Sequence, residues 1–396
     1  MTQITEKPST WGRVTEEGLN RLLPRIGKYR QNENSLFGHI PAFSDGRLVV
    51  SAAYVRRYAT GIADRNPLYV DPDYAAASIW GRRWAPPPVL AWMEQVNGAV
   101  EGFAGCHTIW RNCELEWDRP VFVGDELSAT TALTGARLTE SRFSGQSAVQ
   151  DYETAVESAG EPVGRYRTSW HRFSRGEAKE ASKYQESERP QWTDEELAAV
   201  ADEYRSQNLR RRGAEPLYFE DVEEGSSIPY LIKGPTTLTS KLAFESVNFP
   251  GGWVVGHELA LDLWQRHPGL AIRNEENVPE PPVAIHWTNE RCQRYLGMPA
   301  GYEAGYERLH WFTQLLMTWM GDHGFPTRLA VKFLGFHWQG DVVRLFGRVT
   351  GKEVSGGRHL VHLDVETKTH RDELTTTGTA TVELPSRAAG RGVWPR

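Results

Sequence analysis

Two stretches of this chain repeat one pattern, and the repeat constrains the fold more than any single motif. In the first, Pro120-Val121-Phe122-Val123-Gly124-Asp125 leads into a β-rich run ending near Thr139, a polar turn, and two further runs ending at Phe173. In the second, Trp338-Gln339-Gly340-Asp341 opens a run of the same kind ending at Val354, and two more follow, the last ending at Pro385. Apolar and polar residues alternate with period two, the spacing of a strand with one buried face, so each copy reads as an antiparallel meander. Ahead of each meander lies an apolar segment of helical character, Val89 to Val100 in the first copy and Tyr306 to Met320 in the second. A helix followed by a meander, occurring twice, predicts an α+β fold: two antiparallel sheets, each wrapped round a long central helix, fused in one chain.

The copies divide the chain into residues 1–176 and 213–396, joined by a strongly charged stretch, 177–212. Within the joint, Thr193 and Glu196 have capping-box spacing, which predicts a helix to about Leu209 in a solvated connector. With 45 Lys and Arg against 51 Asp and Glu the net charge is −6, and no basic block could neutralise a phosphate backbone, so no nucleic-acid partner is expected. No apolar run approaches the roughly 18 residues of a membrane helix. The opening MTQITEKPSTWGRV lacks the apolar centre of a secretory signal, and a cytoplasmic chain without a membrane partner is expected. Cys106, Cys113 and Cys292 form no C-x-x-C pair, which argues against a disulfide framework or zinc ribbon. Neither an H-E-x-x-H nor a G-x-G-x-x-G motif occurs, and the expectation is no metal and no bound cofactor.

Upstream of the first helical segment stands Tyr58-Ala59-Thr60-Gly61-Ile62-Ala63-Asp64-Arg65-Asn66-Pro67-Leu68-Tyr69-Val70-Asp71, followed by Tyr74-Ala75. This resembles the signature of the MaoC-like (R)-specific enoyl-CoA hydratases and dehydratases: an aromatic residue, then G-D-x-N-P-L-H-x-D and an alanine. Asp64, Asn66, Pro67, Leu68, Asp71 and Ala75 match, while Ala63 stands for the glycine and Tyr69 for the catalytic histidine. With the repeat, the resemblance implies the double-hotdog branch, in which two fused halves replace a homodimer. It also implies a small-molecule acyl-CoA thioester as substrate, with coenzyme A entering only as part of that substrate.

Hydration of an enoyl thioester needs one group to take a proton from water and another to protonate C2; a carboxylate and an imidazole holding one water do both. Charge growing on the thioester oxygen needs a backbone N–H, commonly from the start of the central helix. The first half has lost two of these parts. A tyrosine titrating near about 10 is a poor substitute for a histidine near about 6.5. The resemblance places the oxyanion-donor glycine roughly eighteen residues after the histidine; from Tyr69 that position falls in Pro86-Pro87-Pro88, and proline has no N–H. Asp64 and Asn66 then read most simply as turn-formers bonding local backbone. The second half keeps what the first lost. His286 lies 55 residues before Asp341, as Tyr69 lies 56 before Asp125, and Gly305 follows His286 by 19 and directly precedes Tyr306.

The aspartate is the gap: Pro281 stands five residues before His286, where a family member has Asp. The helix matching the one after Ser51 begins near Thr239, which leaves about 29 extra residues, Phe249 to Glu280, in the second half. The acid partner of His286 stays open among Glu245, His257, Glu258, Asp262 and Glu94, the last because related dehydratases take an acid from the partner's central helix. Trp80, Trp84 and Trp92 are candidates to line an acyl pocket, although core burial is the plainer reading. Arg82, Arg83, Arg291 and Arg294 are candidates for the phosphates of coenzyme A. Trp311 and Trp319 read as a core stripe on the second helix. His107, His310, His323 and His337 have no partner pattern and are expected to be structural or on the surface.

The expectation is therefore a hydro-lyase acting at the 2,3 position of an acyl-CoA. His286 and the Gly305 N–H in the second half carry the chemistry, with Asp64 and Tyr69 as remnants of the matching site. Asn66, Trp84, Glu94 and Arg291 are the expected substrate contacts. Two rivals stand beside it: a thioesterase, which the same fold hosts, and a non-catalytic acyl-thioester-binding subunit. The acyl group, the direction of reaction and assembly into a homodimer stay open.

Overall fold

The computed structural model describes residues 12–31, 46–94, 97–181, 188–247, 255–390 and 392–393. The alternating runs form β1 (His107–Trp117), β2 (Glu126–Ser141), β3 (Gly145–Ser158), β4 (Glu161–Phe173), β5 (Ser227–Lys233), β6 (Phe325–Phe333), β7 (Val343–Ser355), β8 (Arg358–Thr369) and β9 (Leu374–Glu383). Helices include α1 (Ala52–Gly61), α2 (Asp194–Leu209), α3 (Leu238–Glu245), α4 (His257–Arg266), α5 (Asn289–Leu296) and α6 (Tyr306–Met320). The predicted two sheets are joined: the strands make one antiparallel eleven-stranded sheet in the order β2-β3-β4-β1-β6-β9-β8-β7-β5, completed by Arg30–Gln31 and Leu48–Val49 against β2. The order β2-β3-β4-β1 is mirrored as β6-β9-β8-β7. The copies meet along β1 and β6, where Leu115 lies opposite Leu329 and Cys113 opposite Val331. Pairing these strands removes two open edges that would otherwise present unpaired N–H and C=O groups.

The repeat extends to single bonds. Asp125 Oδ2 accepts from the Phe122 N–H at 3.1 Å, and Asp341 Oδ2 accepts from the Trp338 N–H at 2.9 Å. Trp84 bridges Phe122 just as Tyr302 bridges Trp338. The Gly124 N–H donates to Val50 O and the Gly340 N–H to Thr236 O, so the caps that follow, Ser51 of α1 and Thr237 of α3, are counterparts. The second helix thus begins at a Thr237 cap, two residues before Thr239, because that side chain accepts from the Ser240 N–H. Asn248 and residues 249–254 of the predicted insertion lie outside the described residues.

The two central helices differ. Helix α6 is buried nearly all round, with Leu309, Phe312, Leu315, Leu316 and Met320 fully enclosed, and Trp311 in the core as expected. The predicted helix Val89–Val100 is instead a short 3₁₀ turn, Pro87–Met93, with Gln95 and Val96 outside the described residues. One local and one tertiary feature oppose an α-helix there. Asn97 bonds backbone through its side chain, donating to Glu94 O and accepting from the Ala99 N–H. Gly98 lies against Trp170 so closely that a Cβ would meet that residue's Cβ at 2.5 Å. The connector forms the predicted capping box and α2. It is less solvated than its charge suggests, since Gln207 accepts from the Ile232 N–H and Arg211 reaches Asp64.

Candidate active site

His286 ends a short turn, Pro282–His286, started by the prolines before it. Its Nδ1 lies 3.1 Å from Tyr302 O, and its ring packs on Tyr302 with centroids 4.1 Å apart. A proton on Nδ1 satisfies that carbonyl and leaves the Nε2 lone pair free. Lys241 Nζ donates to the His286 carbonyl at 2.9 Å. Burial, followed by the Lys241 charge, pushes the imidazole pKa down to about 3, so the ring is neutral at ordinary pH.

Glu245 is the last residue of α3. Its Oε2 accepts from Trp287 Nε1 at 2.8 Å, while Oε1 is buried with no partner among the described residues. Burial raises this carboxyl to about 7, opposed by the Trp287 bond and the Lys241 charge. Gly305 caps α6 with φ −54, and its N–H has no partner among the described residues. A Cβ here would lie 2.9 Å from Trp110 Cε3, so only glycine lets that ring close over the helix start without a shift. The loop between α5 and α6 is held by a buried ion pair. Arg308 Nε donates to Glu303 at 2.8 Å, its other nitrogens reach Thr375 O and Gly335 O, and Glu303 also accepts from the His337 N–H.

His286, Glu245 and Gly305 line one cavity of about 560 Å³. Both copies contribute to its walls: Trp92, Trp110 and Trp170 come from the first and Phe244 and Phe333 from the second. Tyr302, which no sequence signal marks, also lines the cavity, and His107 Nε2 lies 3.2 Å from its hydroxyl. His107 is buried and bonded, as the structural reading expects, through a contact 195 residues away for which no local pattern exists.

The first copy's matching place is closed. Asp64 is buried and bonded to Arg211 at 2.6 Å, and it accepts from the Asn66 N–H at 3.0 Å. Asn66 Oδ1 accepts from the Leu68 N–H and caps the turn Pro67–Val70, as the turn reading expected. Tyr69 is buried and its phenol pKa is raised by that burial. Pro87 stands three residues after Trp84, as Gly305 stands three after Tyr302. None of Asp64, Asn66 and Tyr69 lines the cavity.

The other expected contacts also fall elsewhere. Trp84 is core, edge-on to Trp80 and Phe325, because the flanking bridge turns it inward. Arg291 on α5 is engaged by Glu280 at 2.7 Å and Glu275 at 3.1 Å, which leaves it no free fork for a phosphate. Glu94 is buried behind the cavity wall and accepts from the Thr168 hydroxyl; burial raises it to about 8. Of the proposed acids on α4, His257 and Glu258 are exposed and Asp262 is held by Arg266 at 3.0 Å. Among the described residues no cluster of three or more His, Cys, Asp or Glu is placed to hold a metal, and no helix is long and apolar enough to cross a membrane.

This arrangement, two meanders fused into one sheet with a shared cavity at the start of a buried helix, defines the double-hotdog class. Solved structures with the same architecture include one described as a MaoC-like dehydratase, with a TM-score of 0.61 and 18% identity over 92% of this chain and 99% of that one. A second is a MaoC domain protein dehydratase from Chloroflexus aurantiacus J-10-fl, described there as putative, at TM-score 0.57 and 12% identity over 92% and 96%. A third is a conserved hypothetical protein from Mycobacterium tuberculosis, described as a double hotdog fold essential for survival during infection, at 0.54 and 11% over 93% and 99%. The chain has the MaoC-like double-hotdog fold, and residues 37–165 match the family model described as FAS1-like, dehydratase domain region. The resemblance read from the Asp64–Asp71 motif therefore holds. No curated protein matches the sequence.

Proposed function

We propose that the chain is a hydro-lyase that adds or removes water at the 2,3 position of an acyl-CoA thioester, with the second copy carrying the chemistry. One observation supports this reading above the rest. His286, Glu245 and the unpaired Gly305 N–H line one cavity, while the first copy holds Tyr69, an Arg211-paired Asp64 and Pro87 at its corresponding site. Of the acids left open by sequence, Glu245 is the one on the cavity wall.

In the hydration direction, neutral His286 takes a proton at Nε2 as the water oxygen bonds to C3. The double-bond electrons move toward the thioester oxygen, where the Gly305 N–H and the positive end of α6 meet the growing charge. Glu245, raised to about 7 and so partly protonated at neutral pH, gives its proton to C2. The proton on His286 then returns to the Glu245 carboxylate through solvent, which closes the cycle. Dehydration runs the same steps in reverse.

The test is conversion of but-2-enoyl-CoA by the full chain and by His286→Ala and Glu245→Gln. Each variant is expected to lose about 10²–10⁴ in kcat, the usual share of a general acid or base. Unchanged turnover in His286→Ala would remove the assignment to the second copy. Release of free thiol would mark a thioesterase instead, and tight binding without turnover across a panel of chain lengths would mark a binding subunit.

A further inference from the structure

Arg175 follows β4 at the start of the short helix Arg175–Ala181 and lines the same cavity. It is 2% exposed, yet its Nε and Nη1 have no partner among the described residues. After burial, the largest influences on its charge are Cys106, Tyr295, Arg172 and Tyr302, none of them a carboxylate. Arg172, three residues earlier and equally buried, provides an internal control: it donates to the carbonyls of Glu101, Phe103 and Cys106. Arg172 leaves only its Nε without a partner among the described residues, whereas Arg175 leaves both Nε and Nη1. Burial lowers its pKa only to about 10, so it keeps its charge at neutral pH. An unpaired buried guanidinium is destabilising, and a carboxylate meeting its planar fork forms a charge-assisted, bidentate contact.

The place of this charge matters as much as its isolation. Arg175 acts electrostatically on His107 and Tyr302, and Tyr302 touches both His107 and the His286 ring. The guanidinium therefore acts, from the first copy's side, on the cavity-wall residues that surround His286. We infer that the substrate's acyl group ends in a carboxylate held by Arg175, so that the substrate class is the coenzyme A monothioesters of dicarboxylic acids. This rests on the acyl-thioester reading above. A coenzyme phosphate shares the anionic chemistry, but a nearly enclosed guanidinium suits the inner end of a ligand better than its solvated nucleotide end.

Equilibrium binding of saturated thioesters tests this without depending on turnover. Adipoyl-CoA and hexanoyl-CoA differ by a terminal carboxylate against a methyl group. The intact chain is expected to bind adipoyl-CoA about 100-fold more tightly, as a charged hydrogen-bonded contact allows. Arg175→Met should bring the ratio close to one, and Arg175→Lys should retain part of it. A ratio near one in the unsubstituted chain, or a preference surviving in Arg175→Met, overturns the inference. So does an Arg175→Met effect on hexanoyl-CoA that is absent with hexanoyl-pantetheine, since that assigns the guanidinium to a coenzyme phosphate. Should Arg175→Met lose its near-ultraviolet dichroism, the ratio in the unsubstituted chain decides by itself. A carboxylate preference in binding with no hydration of hex-2-enedioyl-CoA would sink the proposed reaction while leaving this inference standing.

Discussion

Gly305→Pro recreates in the second copy what the first copy already carries, because Pro87 occupies the matching position. The backbone accommodates it: φ at Gly305 is −54, close to the roughly −65° that proline fixes. The Gly305 N–H makes no hydrogen bond among the described residues, so the substitution breaks no bond in the free protein. Its costs are two. The added Cβ lies 2.9 Å from Trp110 Cε3 and 3.6 Å from Phe333 Cζ, an overpacking that Gly305→Ala shares; such crowding costs about 1–3 kcal/mol of stability. Proline alone also removes the N–H. Loss of one oxyanion donor lowers kcat by about 10²–10³, or about 2.7–4 kcal/mol of transition-state stabilisation. The informative quantity is therefore kcat of Gly305→Ala over kcat of Gly305→Pro, expected at about 100 or more. The assay is disappearance of the conjugated enoyl thioester absorbance at saturating substrate, with thermal unfolding to confirm that both variants fold. Equal kcat in two folded variants would refute the assignment of this N–H to the oxyanion.

In the first copy, Asp64→Asn leaves the Arg211 guanidinium without its charged partner. Unfolding free energy should fall by about 3–5 kcal/mol while kcat of the folded enzyme stays within a few-fold; a large drop in kcat at unchanged stability would mark the first copy as a working site. The pH profile of hydration follows from Glu245. Its proton is needed for C2, so kcat should be level below about 7 and fall as pH rises beyond it, and Glu245→Gln should abolish that limb. A limb that rises through the same region would make Glu245 the base. Stability gives a separate reading of the same group. A carboxyl raised by folding from 4.5 to about 7 contributes stability below the lower value and loses it as pH rises through the upper one. Glu245→Gln should therefore gain about 3 kcal/mol relative to the unsubstituted chain between pH ~4 and ~8 in denaturant titrations.

The repeat, the meanders and the capping box were legible because they are local: period-two alternation and Thr193–Glu196 spacing act within a few residues. Counting from the Gly-Asp turns also picks out His286, Gly305 and Pro86-Pro87-Pro88 as matching positions, since a fold that repeats carries its spacing with it. Local reading failed at Val89–Val100. Apolar content there suggested a helix, but Gly98 must lie under Trp170 and Asn97 bonds its own backbone, and only the packed chain reveals the first of these constraints.

From sequence alone came the duplicated helix-and-meander plan, the family resemblance and the different residues that the two copies carry at matching positions, all written in residue type and spacing along the chain. The tertiary structure decided that Glu245, of the candidate acids, lines the cavity, that Asp64 answers to Arg211, that Trp84 and Arg291 are engaged elsewhere, and that Arg175 lies on the cavity wall with Nε and Nη1 unpaired among the described residues. Those outcomes depend on contacts between residues far apart in the chain, such as Asp64 with Arg211 and His107 with Tyr302. A side chain's charge and reach are fixed by its type, but its solvent and its neighbours exist only after the two copies close on each other.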